Sequence, residues 1–253
     1  MHLVLGLLSA IALSLLISLA LVHLVRRYRV RYRIEGTADV EGIYMVALAT
    51  LYGIFVAFMI FATWTRYYDA TESASAEADT LTNVYRLAEG LPETARSQLQ
   101  QACVKYAETM VQYEWPAMAK GKQSPEGRHA AHRMWPIFDA MNLGSTSDVL
   151  HDHLLTEFTE LISLRQNRLL HAEEGLPNIL LALLIFGALL TVLFAAVFSV
   201  EDTVPHALKT CVLALMISFM LYTVWELDNP FLGDVRIRPT AFQHALEIIK
   251  EAN

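Results

Sequence analysis

The sequence has little of what most nucleic-acid-binding proteins and disulfide-rich proteins need. Only 18% of its 253 residues are charged, and their balance gives a net charge of −7 at pH 7. An acidic chain without an extended basic face excludes nucleic acid as an expected partner. Its two cysteines, Cys103 and Cys211, show neither a CxxC spacing nor a Cys/His pattern, so we expect no zinc site. Cys103 falls in the polar middle of the chain and Cys211 in an apolar run, so we expect no disulfide between them.

Sequence patterns of catalysis are also absent. The chain has no GxSxG, no glycine-rich phosphate loop and no HExxH, so we expect neither an enzyme nor a cofactor. His129 and His132 share a face of a predicted helix, as do His153 and Glu157, with His151 close by. A metal site needs three or four converging ligands, so we expect solvated histidines and no metal. A metal-dependent activity there is the weakest alternative.

Long apolar runs are what the sequence does contain, without strand-like alternation. Hydrophobic residues make up 55% of the chain, and its mean hydropathy is +0.37. About 20 apolar residues are enough for a helix to cross a bilayer. Four stretches reach that length: Leu3 to Val25, Ile43 to Trp64, Asn178 to Ser199 and Ala207 to Trp225. The first lacks the basic start of a secretory signal, so we expect it to be retained. The sequence predicts an all-α membrane protein with four transmembrane helices.

The second apolar run has no clear end, because no glycine or proline follows it before Gly90. The helical pattern continues past Arg66 and Asp69 into polar sequence. A soluble helical bundle is therefore predicted between the second and third spans and continuous with the second. The expected segments are a first transmembrane pair (1–64), the bundle (65–177), a second transmembrane pair (178–226), and a turn with a docking C-terminal helix (227–253).

Within the bundle, proline and glycine mark where helices end. We expect helices from Pro92 to Trp115, from about Arg128 to Met141, and from Ser147 to Ala172. Pro116 is predicted to terminate the first. A short amphipathic helix is predicted after Thr240, from Phe242 to Lys250.

Orientation is predicted from basic residues in short loops, which remain on the cytoplasmic side. The loop after the first span carries Arg26, Arg27, Arg29, Arg31 and Arg33, whereas the loop between the third and fourth spans carries Glu201 and Asp202. The Arg26 to Arg33 loop is therefore expected to be cytoplasmic, with the bundle on the outer side.

The second span has two different faces. Ala49, Gly53 and Ala57 form a small-residue ridge that allows helices to approach closely. The larger residues Leu51, Phe55, Phe58 and Ala62 lie opposite. One face could line an apolar constriction in an oligomer. Ordinary packing on the small side and lipid contact on the aromatic side explain the same pattern.

Acids and bases are absent from the interior of the predicted spans, which argues against a proton- or sodium-coupled transporter. An apolar or hydroxyl-lined pore is compatible with this. At the end of the second span lie Trp64, Arg66 and Asp69. An aromatic belt with a snorkelling arginine is one interpretation. The other is a pore mouth at which Arg66 and Asp69, three residues apart, form an ion pair.

A specific order of motifs resembles the bacterial bestrophin-like family over about residues 43 to 250, and more remotely the bestrophin anion channels. The motifs are Phe55-Val-Ala-Phe58, Trp64-Thr-Arg-Tyr-Tyr-Asp-Ala70, the stretch from Glu77 to Arg86, Leu91-Pro92, Tyr106, Glu114-Trp-Pro116, and the turn from Leu227 to Gly233 that contains Asp228, Pro230 and Phe231.

The resemblance implies a ring-shaped homo-oligomer in which the second spans surround an anion-conducting pore. Its aromatic neck would be Tyr52, Phe55 and Met59 or Phe58. Bestrophins carry an acidic calcium cluster after the last span, of which only Asp228 and Asp234 remain here, so the resemblance does not carry calcium gating over to this chain. Bestrophins also hold their helical region in the cytoplasm, opposite to the side that the arginine loop favours.

Together these observations predict an oligomeric channel of the bacterial inner membrane that passes small ions, with anions implied by the resemblance. The alternative is a non-conducting, membrane-anchored sensor or scaffold whose helical bundle binds a partner.

Overall fold

The structure, a computed structural model, describes residues 15–25, 38–140, 148–197 and 203–251, together with residues 9, 12, 27 and 28. All the secondary-structure elements in these ranges are helices. They are α1 (Leu15–Val25), α2 (Ala38–Leu87), α3 (Glu93–Thr109), α4 (Trp115–Met118), α5 (Pro125–His132), α6 (Trp135–Asp139), α7 (Asp148–Glu173), α8 (Asn178–Val197), α9 (Thr203–Asp228) and α10 (Thr240–Glu251).

The second span and the polar sequence after it form one helix, as predicted. Helix α2 has 50 residues and ends in a 3₁₀ turn, Ala88–Gly90. A helix of this length measures about 75 Å at 1.5 Å per residue, more than twice the thickness of a bilayer core.

Three helical stretches are long and apolar enough to cross a membrane: Glu41–Gly90, Val149–Val197 and Val204–Asp228. The described part of the first predicted span, Leu15–Val25, is an apolar helix shorter than that length. The four-span count therefore remains a prediction. Most of the loop from Arg26 to Arg33, and both Glu201 and Asp202, lie outside the described residues.

Two compact units make up the chain. We call Met1–Thr65 with Leu176–Asp228 the apolar unit, and Arg66–Gly175 with Asn229–Asn253 the polar unit. In the apolar unit, Tyr52 and Val56 of α2 pack with Leu184 and Ala188 of α8 and Ile217 of α9. In the polar unit, α10 docks through Phe242, whose ring centroid lies 5.4 Å from that of Trp115.

Several predicted helix boundaries in the polar unit are wrong. The helix expected from Pro92 to Trp115 changes at Met110 into a π-helical turn, Met110–Glu114. Pro116 does not terminate it but lies within α4, near that helix's start, where a missing N–H costs little. The helix expected from Arg128 to Met141 is two helices, α5 and α6. Each has a proline at its first or second position, where proline is common in helices.

Candidate functional site

One face of α2 is buried inside the apolar unit. The hydroxyl of Tyr52 donates a hydrogen bond to the carbonyl oxygen of Leu184 at 3.0 Å. A Cβ at Gly187 would lie only 2.6 Å from the Tyr52 ring, so the absence of a side chain on α8 makes room for this tyrosine. Val56 and Thr63 continue the buried face. The structure therefore places Tyr52 within its own protomer, against α8.

The opposite face of α2 is exposed in the chain. Ile54, Phe58 and Phe61 each expose more than half of their surface. At 100° per residue, Ile54 lies about 200° around the helix from Tyr52, so this face points away from the protomer's own packing. Large apolar side chains in such a position require lipid, another chain or a pore.

The predicted neck residues divide between these faces. Phe55 and Met59 are half-buried and pack against the cluster that contains Tyr52. Of the four residues expected to line a pore, Phe58 alone is fully on the exposed face. Hydropathy could not reveal this division because every face of the second span is apolar.

The small-residue ridge of α2 is mostly exposed in this chain. Gly53 and Ala57 are exposed, and Ala49 is half-buried. A Cβ built at Gly53 meets no heavy atom within 4 Å. Among the residues that the structure describes, no other helix uses the close approach that a small residue permits at Gly53.

The predicted pore mouth has a different arrangement from the one expected. Trp64 and Asp69 are exposed, and Arg66 is half-buried. The Arg66 guanidinium donates a hydrogen bond to the backbone carbonyl oxygen of Glu174, the residue that follows α7. The structure thus gives Arg66 a backbone partner, and a pore mouth at Arg66 and Asp69 remains one of the two interpretations of this segment.

Further along α2, acidic side chains continue the exposed face. Asp69, Glu72 and Asp79 are exposed; Asp69 follows Phe58 and Glu72 follows Phe61 by eleven residues, three full turns of a helix, and Asp79 follows Glu72 by seven. The same side of the helix therefore changes from apolar to acidic along its length.

The turn after α9 is a structural anchor. The Asp228 carboxylate accepts a hydrogen bond from the backbone N–H of Leu176 at 3.0 Å. Phe231 is buried with its ring edge against Trp115, at 6.1 Å between centroids. The carbonyl oxygen of Pro230 accepts from the Ile237 N–H at 2.8 Å, and the Gly233 N–H donates to Asn229. These contacts explain the motif without a bound cation.

A buried ion pair lies at the centre of the polar unit. Arg168 has no exposed surface, and its Nε and Nη2 donate to the two carboxylate oxygens of Glu77 at 2.6 and 3.0 Å. The Tyr106 hydroxyl donates to the same carboxylate at 2.7 Å. The guanidinium also lies 4.6 Å from the centroid of the Trp115 ring, within cation–π distance.

A second buried pair joins the end of the π-helical turn to α7. Arg165 donates to Oε1 of Glu114 at 2.8 Å, while Oε2 of Glu114 and Nε of Arg165 have no hydrogen-bond partner. Burial raises the pKa of Glu114, and Arg165 and Arg168 oppose that rise. A Cβ at Gly127 would lie 1.7 Å from Oε2 of Glu114, so only glycine fits there.

The sequence analysis did not recognise these two ion pairs, although a signal was present. Glu77 interrupts an otherwise small and apolar face of α2 that includes Ala70, Ala74 and Leu81. Arg165 likewise shares the buried face of α7 with Leu154, Phe158 and Leu161. A charged residue on a buried face requires a partner of opposite sign, so the sequence indicates that Glu77 and Arg165 each have a partner but not which residue it is.

The histidines that suggested a metal are not brought together. His129 and His132 are exposed on α5, and His153 is exposed on α7. Among the residues that the structure describes, no three His, Cys, Asp or Glu side chains lie close enough to hold a metal ion.

Comparison with known proteins identifies the family. The model of the bestrophin-like domain matches residues 12–242. The chain belongs to the bestrophin-like family. No protein of curated function matches it in sequence.

The fold is also shared with solved structures. Three crystal structures of a bacterial bestrophin homologue from Klebsiella pneumoniae superpose with TM-scores of 0.74, 0.73 and 0.72. Their identities to the chain are 12, 13 and 14%. Each covers 96% of this chain, which covers 97, 98 and 96% of theirs. At this identity the likeness establishes the fold, and the family together with the apolar helices identifies an integral membrane protein.

Proposed function

We propose that this bestrophin-like protein is an oligomeric ion channel whose pore is surrounded by the exposed face of α2. The observation that carries the proposal is the division of that helix. Tyr52 and Val56 fix it inside the protomer, while Ile54, Phe58 and Phe61 project from the opposite side. Several copies arranged around an axis would bring these side chains together as an apolar constriction of the kind that gates by dewetting.

The small ridge supports assembly of this kind. Gly53 and Ala57 lie beside the exposed aromatic face and have open space around them. In an oligomer they would let a neighbouring helix approach closely. We therefore keep Ala49, Gly53 and Ala57 as packing residues, now between chains, and assign Tyr52 to packing within the chain.

The permeant ion has two candidates. The family resemblance favours anions, as the sequence analysis expected. The acidic side chains Asp69, Glu72 and Asp79 favour cations, because rings of carboxylates on an ion's path attract positive charge. Reversal potentials of the reconstituted protein under a KCl gradient separate the two by their sign.

Purified full-length oligomer in planar bilayers tests the proposal itself. We expect discrete conductance above the background of protein-free bilayers. Absence of conductance across several salts and pH values, from oligomer of uniform size, would reject a channel and support the membrane-anchored scaffold. Channels need no covalent chemistry, so the proposed function is not enzymatic.

A further inference from the structure

Two pairs of exposed basic residues in the polar unit lie on or beside the turn that follows α9. Lys120 and Lys122 flank Gly121 after α4, and Arg236 and Arg238 flank Ile237 before α10. A Cβ at Gly121 would lie 3.7 Å from the Leu232 side chain. The Trp115 indole N–H donates to the carbonyl oxygen of Ile237 at 3.1 Å. We call Lys120, Lys122, Arg236, Arg238 and the exposed Leu232 the basic patch.

Chain connectivity limits how far the basic patch can lie from the end of α9. Leu232 follows Asp228, the last residue of α9, by four positions, so it lies at most about 14 Å from that residue. Ile237 is tied to Pro230 by a 2.8 Å hydrogen bond, which keeps both arginines near the same point. Gln123 donates at 2.6 Å to Glu173, five residues before α8 begins.

The loop that follows α4 leaves Lys120 and Lys122 exposed. Gly121 has a φ of +67°, a left-handed conformation that glycine adopts without strain and that turns the chain after α4. Backbone groups of Gly121 and Lys122 are bonded to Met118 and Ala117. Among the described residues, none forms an ion pair with a cation of the basic patch.

We propose that the basic patch binds the headgroups of anionic phospholipids in the bilayer that the protein itself spans. Four cations and an exposed leucine, on or beside the segment that directly follows α9, match an interface that is negatively charged outside and apolar beneath. The cations compensate the phosphate charge, and Leu232, which is 39% exposed, contacts the acyl boundary. The proposal is independent of ion conduction.

Native mass spectrometry of the full-length protein in detergent provides the test. Protein is incubated with phosphatidylglycerol or with phosphatidylcholine of the same acyl chains, and bound lipids are counted. The patch variant combines Lys120→Gln, Lys122→Gln, Arg236→Gln and Arg238→Gln. Its matched control removes four exposed cations elsewhere in the polar unit, by Arg86→Gln, Lys105→Gln, Arg133→Gln and Lys250→Gln.

Wild type and the control should bind phosphatidylglycerol in preference to phosphatidylcholine. Each basic residue near a membrane surface contributes about fivefold, so the patch variant should lose at least about tenfold of its affinity for phosphatidylglycerol. If the patch variant does not fold, Lys122→Gln with Arg236→Gln should still give a loss of at least about threefold.

Three results would overturn the proposal. They are undiminished phosphatidylglycerol binding by the patch variant, an equal loss in the matched control, and displacement of the lipid by millimolar inorganic phosphate, which would indicate a site for the free anion.

Discussion

Arg168 shows how the polar unit holds a full charge without any contact with water. Desolvating a guanidinium costs several kcal/mol. The bidentate bonds to Glu77 and the nearby Trp115 ring offset this cost. Two methionine sulfurs, of Met110 and Met118, complete its surroundings at 3.3 and 2.8 Å. The pair joins α2 to α7, elements that lie far apart in sequence.

Replacing one member of this pair should be more damaging than replacing both. Arg168→Met leaves the Glu77 carboxylate buried and unpaired, so the free energy of unfolding should fall by about 3–5 kcal/mol. The double variant Glu77→Gln with Arg168→Met should recover part of that loss. Thermal and denaturant unfolding of the full-length protein in detergent measures both.

The control is Arg96→Met, since Arg96 pairs with Glu93 at the surface. It should cost less than about 1 kcal/mol. A loss for Arg168→Met no larger than that of Arg96→Met would contradict the importance of the buried pair.

Glu114 should make the stability of the polar unit depend on pH. Its pKa is raised by burial in the folded protein, so the folded state holds this proton more tightly than the unfolded state. The contribution is fully present below the ordinary pKa of 4.5 and is lost as the pH rises through the folded pKa.

Glu114→Gln should remove that dependence. The difference in apparent Tm between Glu114→Gln and wild type should grow in favour of the variant as the pH rises above about 4.5. A difference that stays constant between pH 4 and pH 8 would show that Glu114 does not titrate in this way.

At the scale of elements, α2 shows what a single sequence can and cannot specify. Its continuity is predictable because no glycine or proline interrupts the polar part before Gly90, and α2 with its 3₁₀ turn ends there. The orientation of its faces in the span is not predictable from hydropathy, since aromatic side chains occur all around it. Packing partners determine which face is buried. Gly187 is one such partner, because its lack of a side chain makes room for the Tyr52 ring.

Two glycines of the spans should therefore respond differently to substitution. Gly187→Ala places a Cβ 2.6 Å from the Tyr52 ring, so it should destabilise the protomer by about 1–3 kcal/mol. Gly53→Leu meets open space in the chain, so the protomer should stay folded while the oligomer dissociates.

Unfolding in detergent and mass measurement by light scattering separate these effects. An oligomer of wild-type mass for Gly53→Leu would show that the small ridge does not pack between chains.

The boundary between α3 and α4 differs from the one predicted from the sequence. Pro116 suggested a helix end, but the π-helical turn Met110–Glu114 precedes it and the chain continues as helix. Such turns commonly occur at functional positions. Here the turn places Glu114 beside Arg165, three residues from Arg168 on α7.

At the scale of the whole molecule, a second set of basic residues bears on the membrane orientation that the Arg26 to Arg33 loop predicts. Residues in a long polar segment carry little weight when basic residues are counted along the sequence. Arg236 and Arg238 nevertheless follow Asp228, the end of α9, by only eight and ten residues, and within the polar unit Gly121, between Lys120 and Lys122, lies near Leu232 of the same segment. The Arg26 to Arg33 loop is therefore not the single basic region next to the spans, and its cytoplasmic placement remains a prediction.

The membrane architecture could be predicted because its signals are strong and local. Long apolar runs predicted the helices α2, α8 and α9, and the order of motifs indicated the family that the comparison identifies. The interior of the polar unit could not be predicted in the same way. Its specificity depends on pairs such as Glu77 with Arg168, 91 residues apart, which no periodic pattern connects.

The most direct test of the proposed channel compares two phenylalanines in reconstituted oligomer. Phe58 on α2 and Phe186 on α8 are each 64% exposed in the chain, so the two alanine variants remove the same side chain from similarly open positions. If the exposed face of α2 surrounds the pore, Phe58→Ala should change single-channel conductance or open probability by several-fold, while Phe186→Ala should leave both unchanged. Equal behaviour of the two variants, with intact oligomers, would contradict the account.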